Sequence, residues 1–83
     1  MAKITNVFAE IDNDSVFKTV LNIYLGNEQV IIFSLESKAR DPAYIAIYED
    51  KRLFEPKTDG ESVYWKNGPR IMFTEIMREL EGG

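Results

Sequence analysis

Glu10, Asp12 and Asp14 alternate along the chain. On extended backbone, alternate residues share a face and lie about 6.5–7 Å apart. That interval is close to the spacing of phosphates along one nucleic-acid strand. Such a ladder could offer a phosphate-like surface to a basic groove, or serve as a charged edge that discourages aggregation. A calcium loop fits less well, because no Gly or bidentate Glu follows at the required positions.

A second acidic group, Glu49, Asp50 and Glu55 with Asp59 and Glu61 beyond, is interleaved with Lys51, Arg52 and Lys57 and reads as a solvated mixed-charge surface. Around the turn Lys66-Asn67-Gly68-Pro69-Arg70, two cations stand beside backbone amides that could hold a carboxylate or phosphate. Ordinary turn chemistry accounts for the same residues.

The chain has no histidine and no cysteine. It therefore lacks the commonest general base, the most nucleophilic side chain, disulfides and thiolate metal ligands. Carboxylate chemistry is what remains, and no convincing acidic pair stands out, so neither an enzyme nor a cofactor is expected. A net charge of −4 disfavours direct binding to nucleic acid or to anionic membranes. It favours a protein partner with a basic surface. Tyr44, Tyr48, Tyr64 and Trp65 are the side chains best suited to such an interface, since aromatics bring large contact area at low entropic cost. Tyr44 and Tyr48 are expected to be the exposed ones, with Trp65 at least half in the core.

The elements that must position these residues are short. At 83 residues, 45% hydrophobic and 29% charged, one globular domain over 1–83 is expected. Such a domain buries about 60–65% of its unfolded surface and is stable by about 4–12 kcal/mol. The N-terminus lacks the apolar core of a signal peptide, and no run reaches the length of a membrane span, so a soluble, cytoplasmic protein is expected.

Lys3 to Ile11 reads as a first strand and Asp12-Asn13-Asp14-Ser15 as a turn. In a second strand, Val16 to Leu25, the residues Phe17, Thr19, Leu21, Ile23 and Leu25 share one face. Gly26-Asn27 predicts a two-residue turn, with Gly at the first position of type II′. Glu28 to Leu35 returns with Ile31, Phe33 and Leu35 on one face and Val30 and Ile32 on the other. Both faces of this hairpin are apolar near the middle, which predicts a helix covering the second face. The hairpin could also pair edge to edge with another copy, giving a symmetric dimer.

Asp41-Pro42 signals a helix start, with Ala43, Tyr44, Ile47 and Tyr48 on one face, although Tyr44 to Tyr48 also alternates like a strand. Arg52-Leu53-Phe54 suits a helical turn and Thr58-Asp59-Gly60-Glu61 a tight turn. Asn67-Gly68 between Ser62–Lys66 and Arg70–Phe73 predicts a hairpin with a type I′ turn. Thr74 is the expected N-cap of a helix through Leu80, with Ile76, Met77 and Leu80 inward and Gly82 as its stop. The expectation is an α+β fold, βββαββα, with a mainly antiparallel sheet of about five strands and two short helices.

So arranged, the chain resembles a family of small bacterial domains of unknown function. The resemblance rests on the apolar strand Val30-Ile31-Ile32-Phe33-Ser34-Leu35 and the central turn Asp50-Lys51-Arg52-Leu53-Phe54. It continues through Val63-Tyr64-Trp65-Lys66-Asn67-Gly68 and a last helix from Glu75 to Leu80. Members often carry Pro between Trp and Asn, where this chain has Lys66. Some relatives are fused to a helix-turn-helix and others are encoded beside toxin-like proteins. The resemblance thus implies a regulatory, antitoxin-like accessory domain and supplies no catalytic residue. The acidic ladder leaves a second expectation, a nucleic-acid-mimicking inhibitor such as an anti-CRISPR protein.

Overall fold

A computed structural model describes residues 3–11 and 19–82. The fold is α+β, with two three-stranded antiparallel sheets and two helices. The first sheet is formed by β1 (Ile4–Ile11), β2 (Thr19–Leu25) and β3 (Val30–Ser34), in that order. A 3₁₀ turn (Glu36–Lys38), helix α1 (Pro42–Glu49) and a second 3₁₀ turn (Arg52–Phe54) lead to the second sheet. That sheet consists of β4 (Lys57–Thr58), β5 (Ser62–Tyr64) and β6 (Arg70–Met72), and α2 (Phe73–Gly82) follows directly. Among the described residues, six strands in two sheets replace the five or so expected in one, because Lys57–Thr58 pairs with Val63 and Tyr64. A two-residue strand has too little alternation to be recognised in sequence.

One face of β2 is buried throughout: Thr19, Leu21, Ile23 and Leu25. Phe33 and Leu35 join them from the β3 side. In β1 the register shifts between Ile4 and Asn6, a bulge at Thr5 that lets Ile4 and Val7, three residues apart, face the same core. The Thr5 hydroxyl donates to the Tyr24 carbonyl across it (3.1 Å).

Asp41 caps α1 by accepting from the Ala43 amide (2.9 Å), with Pro42 at the first helical position. Residues 43–48 are thus helical, and Tyr44 and Ile47 enter the core while Ala43 stays exposed. Lys51, with φ of 65°, ends the helix in the left-handed conformation.

Three turn and cap expectations need correction. The hairpin at Gly26-Asn27 has three loop residues, not two. Glu28 donates to the Leu25 carbonyl (3.1 Å) and is itself left-handed (φ 67°), while Gly26 is not. This is a type I turn with an added left-handed residue, whose twist also suits antiparallel strands. At Asn67-Gly68 only Asn67 has positive φ (53°), and Gly68 donates to the Trp65 carbonyl (3.0 Å). The turn therefore spans Trp65–Gly68 in a type II arrangement. Helix α2 begins at Phe73, before the expected cap Thr74, and the Phe73 amide donates to the Glu61 carbonyl (2.8 Å).

Both helices and the second sheet pack on the same side of the first sheet, in one cluster that includes Leu21, Ile23, Tyr44, Ile47, Leu53, Trp65, Ile71 and Ile76. Among the described residues, no helix covers the second face, where one was expected. Val30 and Ile32 stay exposed, as does Leu80, which was expected to point inward. No helix among the described residues is long and apolar enough to cross a membrane.

Candidate functional site

Tyr44 and Trp65 form the centre of the fold. Their rings meet edge to face at 5.6 Å, and only 3% and 2% of their surfaces are exposed. The Trp65 indole N–H donates to the Leu53 carbonyl (2.9 Å), which ties the tryptophan to the 3₁₀ turn after α1. Burial, and then the charges of Glu75, Asp41 and Glu79, push the Tyr44 hydroxyl pKa far up. Tyr44 is thus a core residue, contrary to its expected exposure. Aromatic character marks both packing and binding side chains, so sequence could not separate them.

Tyr48 and Tyr64 are half-buried. Tyr48 stacks edge to face on Phe54 at 6.2 Å, and the Arg70 guanidinium lies 4.5 Å over the Tyr64 ring. Arg70 also donates to Asp59 (2.7 Å) and to the Ser62 hydroxyl (2.6 Å). The Asp59 pKa falls to about 2, because the Glu61 amide, the Ser62 hydroxyl, Arg70 and the Ser62 amide all donate to its carboxylate.

The turn at Asn67 is closed from within. The Arg52 guanidinium donates to the Lys66 and Asn67 carbonyls (2.6 and 2.9 Å) and pairs with Asp50 (2.9 Å). Of the two cations expected beside this turn, Arg70 is held by intramolecular acceptors and Lys66 is exposed.

Of the acidic ladder, Asp12 and Asp14 lie outside the described residues. Glu10 is exposed on β1 and accepts from the Asn22 side chain (3.1 Å). No group of three or more acidic side chains among the described residues could hold a metal ion.

The first sheet's outer face exposes Phe8, Tyr24, Val30 and Ile32. Its register sets three cross-strand rows: Asn6, Tyr24 and Val30; Phe8, Asn22 and Ile32; Glu10, Val20 and Ser34. Phe8 is 51% and Ile32 65% exposed, and Phe8 meets Tyr24 edge to face at 5.7 Å. Glu28 and Glu36 stand just beyond the two ends of β3, both exposed. Sequence reasoning placed Val30 and Ile32 on this face but expected it covered. The signal was present: Asn6, Glu10, Asn22 and Ser34, interspersed among the apolar residues, are what a wet face carries.

No family model matches the chain, and no curated protein or solved structure matches it.

Proposed function

We propose that this chain is a non-enzymatic acidic binding module that occupies a protein partner with a basic surface, in a regulatory, antitoxin-like role. The observation that carries the reading is the open sheet face. An edge-to-face Phe8–Tyr24 pair with Val30 and Ile32 makes a contiguous apolar patch in a chain of net charge −4. Patches of this kind on small domains are commonly interaction sites. Glu10 within the face, with Glu28 and Glu36 at its borders, would steer a basic surface toward it. Tyr48 and Tyr64 remain accessory contacts at most half open, and Tyr44 and Trp65 support the fold behind them. The regulatory role comes from the family resemblance, and the lack of His and Cys supports a non-enzymatic one.

Affinity capture from native lysate with the tagged chain, followed by mass spectrometry and a salt titration, tests this. A basic protein released by moderate salt, and captured at least tenfold less by Phe8→Ser or Tyr24→Ser, is expected. Capture of no protein, or capture indifferent to these substitutions, defeats the proposal.

A further inference from the structure

The first sheet ends on β3. On the opposite side β1 is joined to the second sheet, with the Ile4 amide donating to the Gly60 carbonyl (2.9 Å). The phase of the β2–β3 ladder is fixed at both ends: Leu25 donates to the Gln29 carbonyl (2.9 Å) and Leu35 to the Thr19 carbonyl (3.0 Å). Hydrogen-bonded pairs recur at every second residue of an antiparallel ladder. Ile31 and Phe33 therefore turn their backbone groups toward β2, while Val30, Ile32 and Ser34 turn theirs outward. No other described element bonds these outward amides and carbonyls.

Edge strands normally carry a charge, a proline or a bulge that prevents pairing. Val30-Ile31-Ile32-Phe33-Ser34 carries no charge and no proline, and its register is unbroken. The edge is also backed by apolar surface on both sides. On one side lies the open sheet face. On the other is a groove of about 450 Å³ lined by Leu25, Gln29, Val30, Ile31, Phe73 and Met77. Leu80, one turn further along α2 and 47% exposed, continues the stripe begun by Phe73 and Met77.

We infer that β3 is a dimerisation edge, on which the β3 of a second copy pairs antiparallel around a two-fold axis at Ile32. A second copy is the occupant because the edge is complementary to itself. With Ile32 opposite Ile32 and Val30 opposite Ser34, every outward amide and carbonyl finds a partner, and the interface is isologous. The two first sheets become one continuous sheet, and the α2 stripes flank the axis. Charge agrees with this choice. An acidic chain repels its own copies over most of its surface, and the uncharged β3 is where they can approach. Along the paired strands, like charges meet at the ends, Glu28 opposite Glu36, both exposed. The dimer therefore tightens as salt screens that pair, the reverse of the salt dependence of a complex with a basic partner. Val30 and Ile32 belong to the partner-binding patch as well, but that patch uses their side chains, whereas this edge uses their outward backbone groups.

The test is the mass of the purified chain by light scattering over a concentration and salt series, for the wild type, Ile32→Lys and Ile32→Pro. The Ile32 amide bonds nothing within the sheet, so proline there spares the ladder while removing an intermolecular donor. The wild type should pass from one to two chains with concentration and do so at lower concentration in high salt. Both variants should remain single chains with unchanged circular dichroism. Amide exchange in the wild type gives a readout that needs no variant: Val30, Ile32 and Ser34 should become protected as concentration rises. A wild type that stays a single chain throughout, a dimer that survives both substitutions, growth beyond two chains, or outward amides that exchange alike at all concentrations would each overturn the inference. An edge that instead takes a strand from a different protein appears as a single chain when pure.

Discussion

At the scale of single residues, Trp65 and Glu28 show opposite relations between side chain and backbone. The Trp65 indole satisfies a backbone carbonyl at the heart of the core. Trp65→Phe keeps an aromatic ring against Tyr44 but leaves the Leu53 carbonyl without this donor, and should cost about 1–3 kcal/mol in urea unfolding. Glu28 sits in the left-handed region without any need for its side chain to do so. Glu28→Gly should stabilise the fold by about 0.5–1 kcal/mol, since glycine adopts that conformation without the steric cost; a fall in thermal midpoint would contradict this. Asp59 was legible as a turn residue, but not as the acceptor that gathers Arg70 and Ser62. Its pKa is depressed to about 2, so its stabilising contribution is present above the ordinary Asp pKa and is lost as pH falls through about 2. Asp59→Asn should flatten the acid limb of the stability–pH curve, measured by thermal melts.

At the scale of elements, side-chain bridges set how the short pieces sit on one another. Lys38 joins the 3₁₀ turn after β3 to α2, pairing with Glu75 (2.7 Å) and Glu79 (3.3 Å), and the Ser37 hydroxyl donates to Glu79 (3.0 Å). Burial opposes the Lys38 charge, yet hydrogen bonds and attraction from both glutamates prevail and raise its pKa. The contribution is thus complete below the ordinary Lys pKa and lost as pH rises through the raised value. Lys38→Met should cost about 1 kcal/mol at neutral pH, the scale of a partly exposed ion pair, and the cost should vanish in strong alkali. Gly68 marks another junction. A Cβ there would stand 3.0 Å from Ile47 Cγ2 and 3.2 Å from Trp65 Cβ, so Gly68→Ala should cost about 1–2 kcal/mol through crowding between the turn and α1. Asn-Gly announced a turn in the sequence. That Gly68 is needed for close approach and Asn67 for positive φ is a division of labour that only the packing reveals.

At the scale of the whole molecule, the covering elements among the described residues lie on one side of the first sheet. This leaves an open apolar face and, at β3, an open edge. The two predict opposite responses to salt: loss of a basic partner, gain of self-association. Measuring both on one preparation separates them by the sign of the salt dependence, since Ile32 lies in the apolar face as well as on the edge.

Much of the architecture was legible because local rules carry it. The period-two pattern of Thr19, Leu21, Ile23 and Leu25 fixed the buried face of β2, and Asp41-Pro42 fixed the start of α1. The absence of His and Cys by itself bounds the chemistry. The tertiary structure alone decided that Tyr44 is buried and that, among the described residues, no helix covers Phe8 and Ile32 and β3 ends its sheet. The physical reason is that periodicity says which residues share a face. Which of two apolar faces meets the core depends on contacts between segments far apart in the chain, and no local pattern records them.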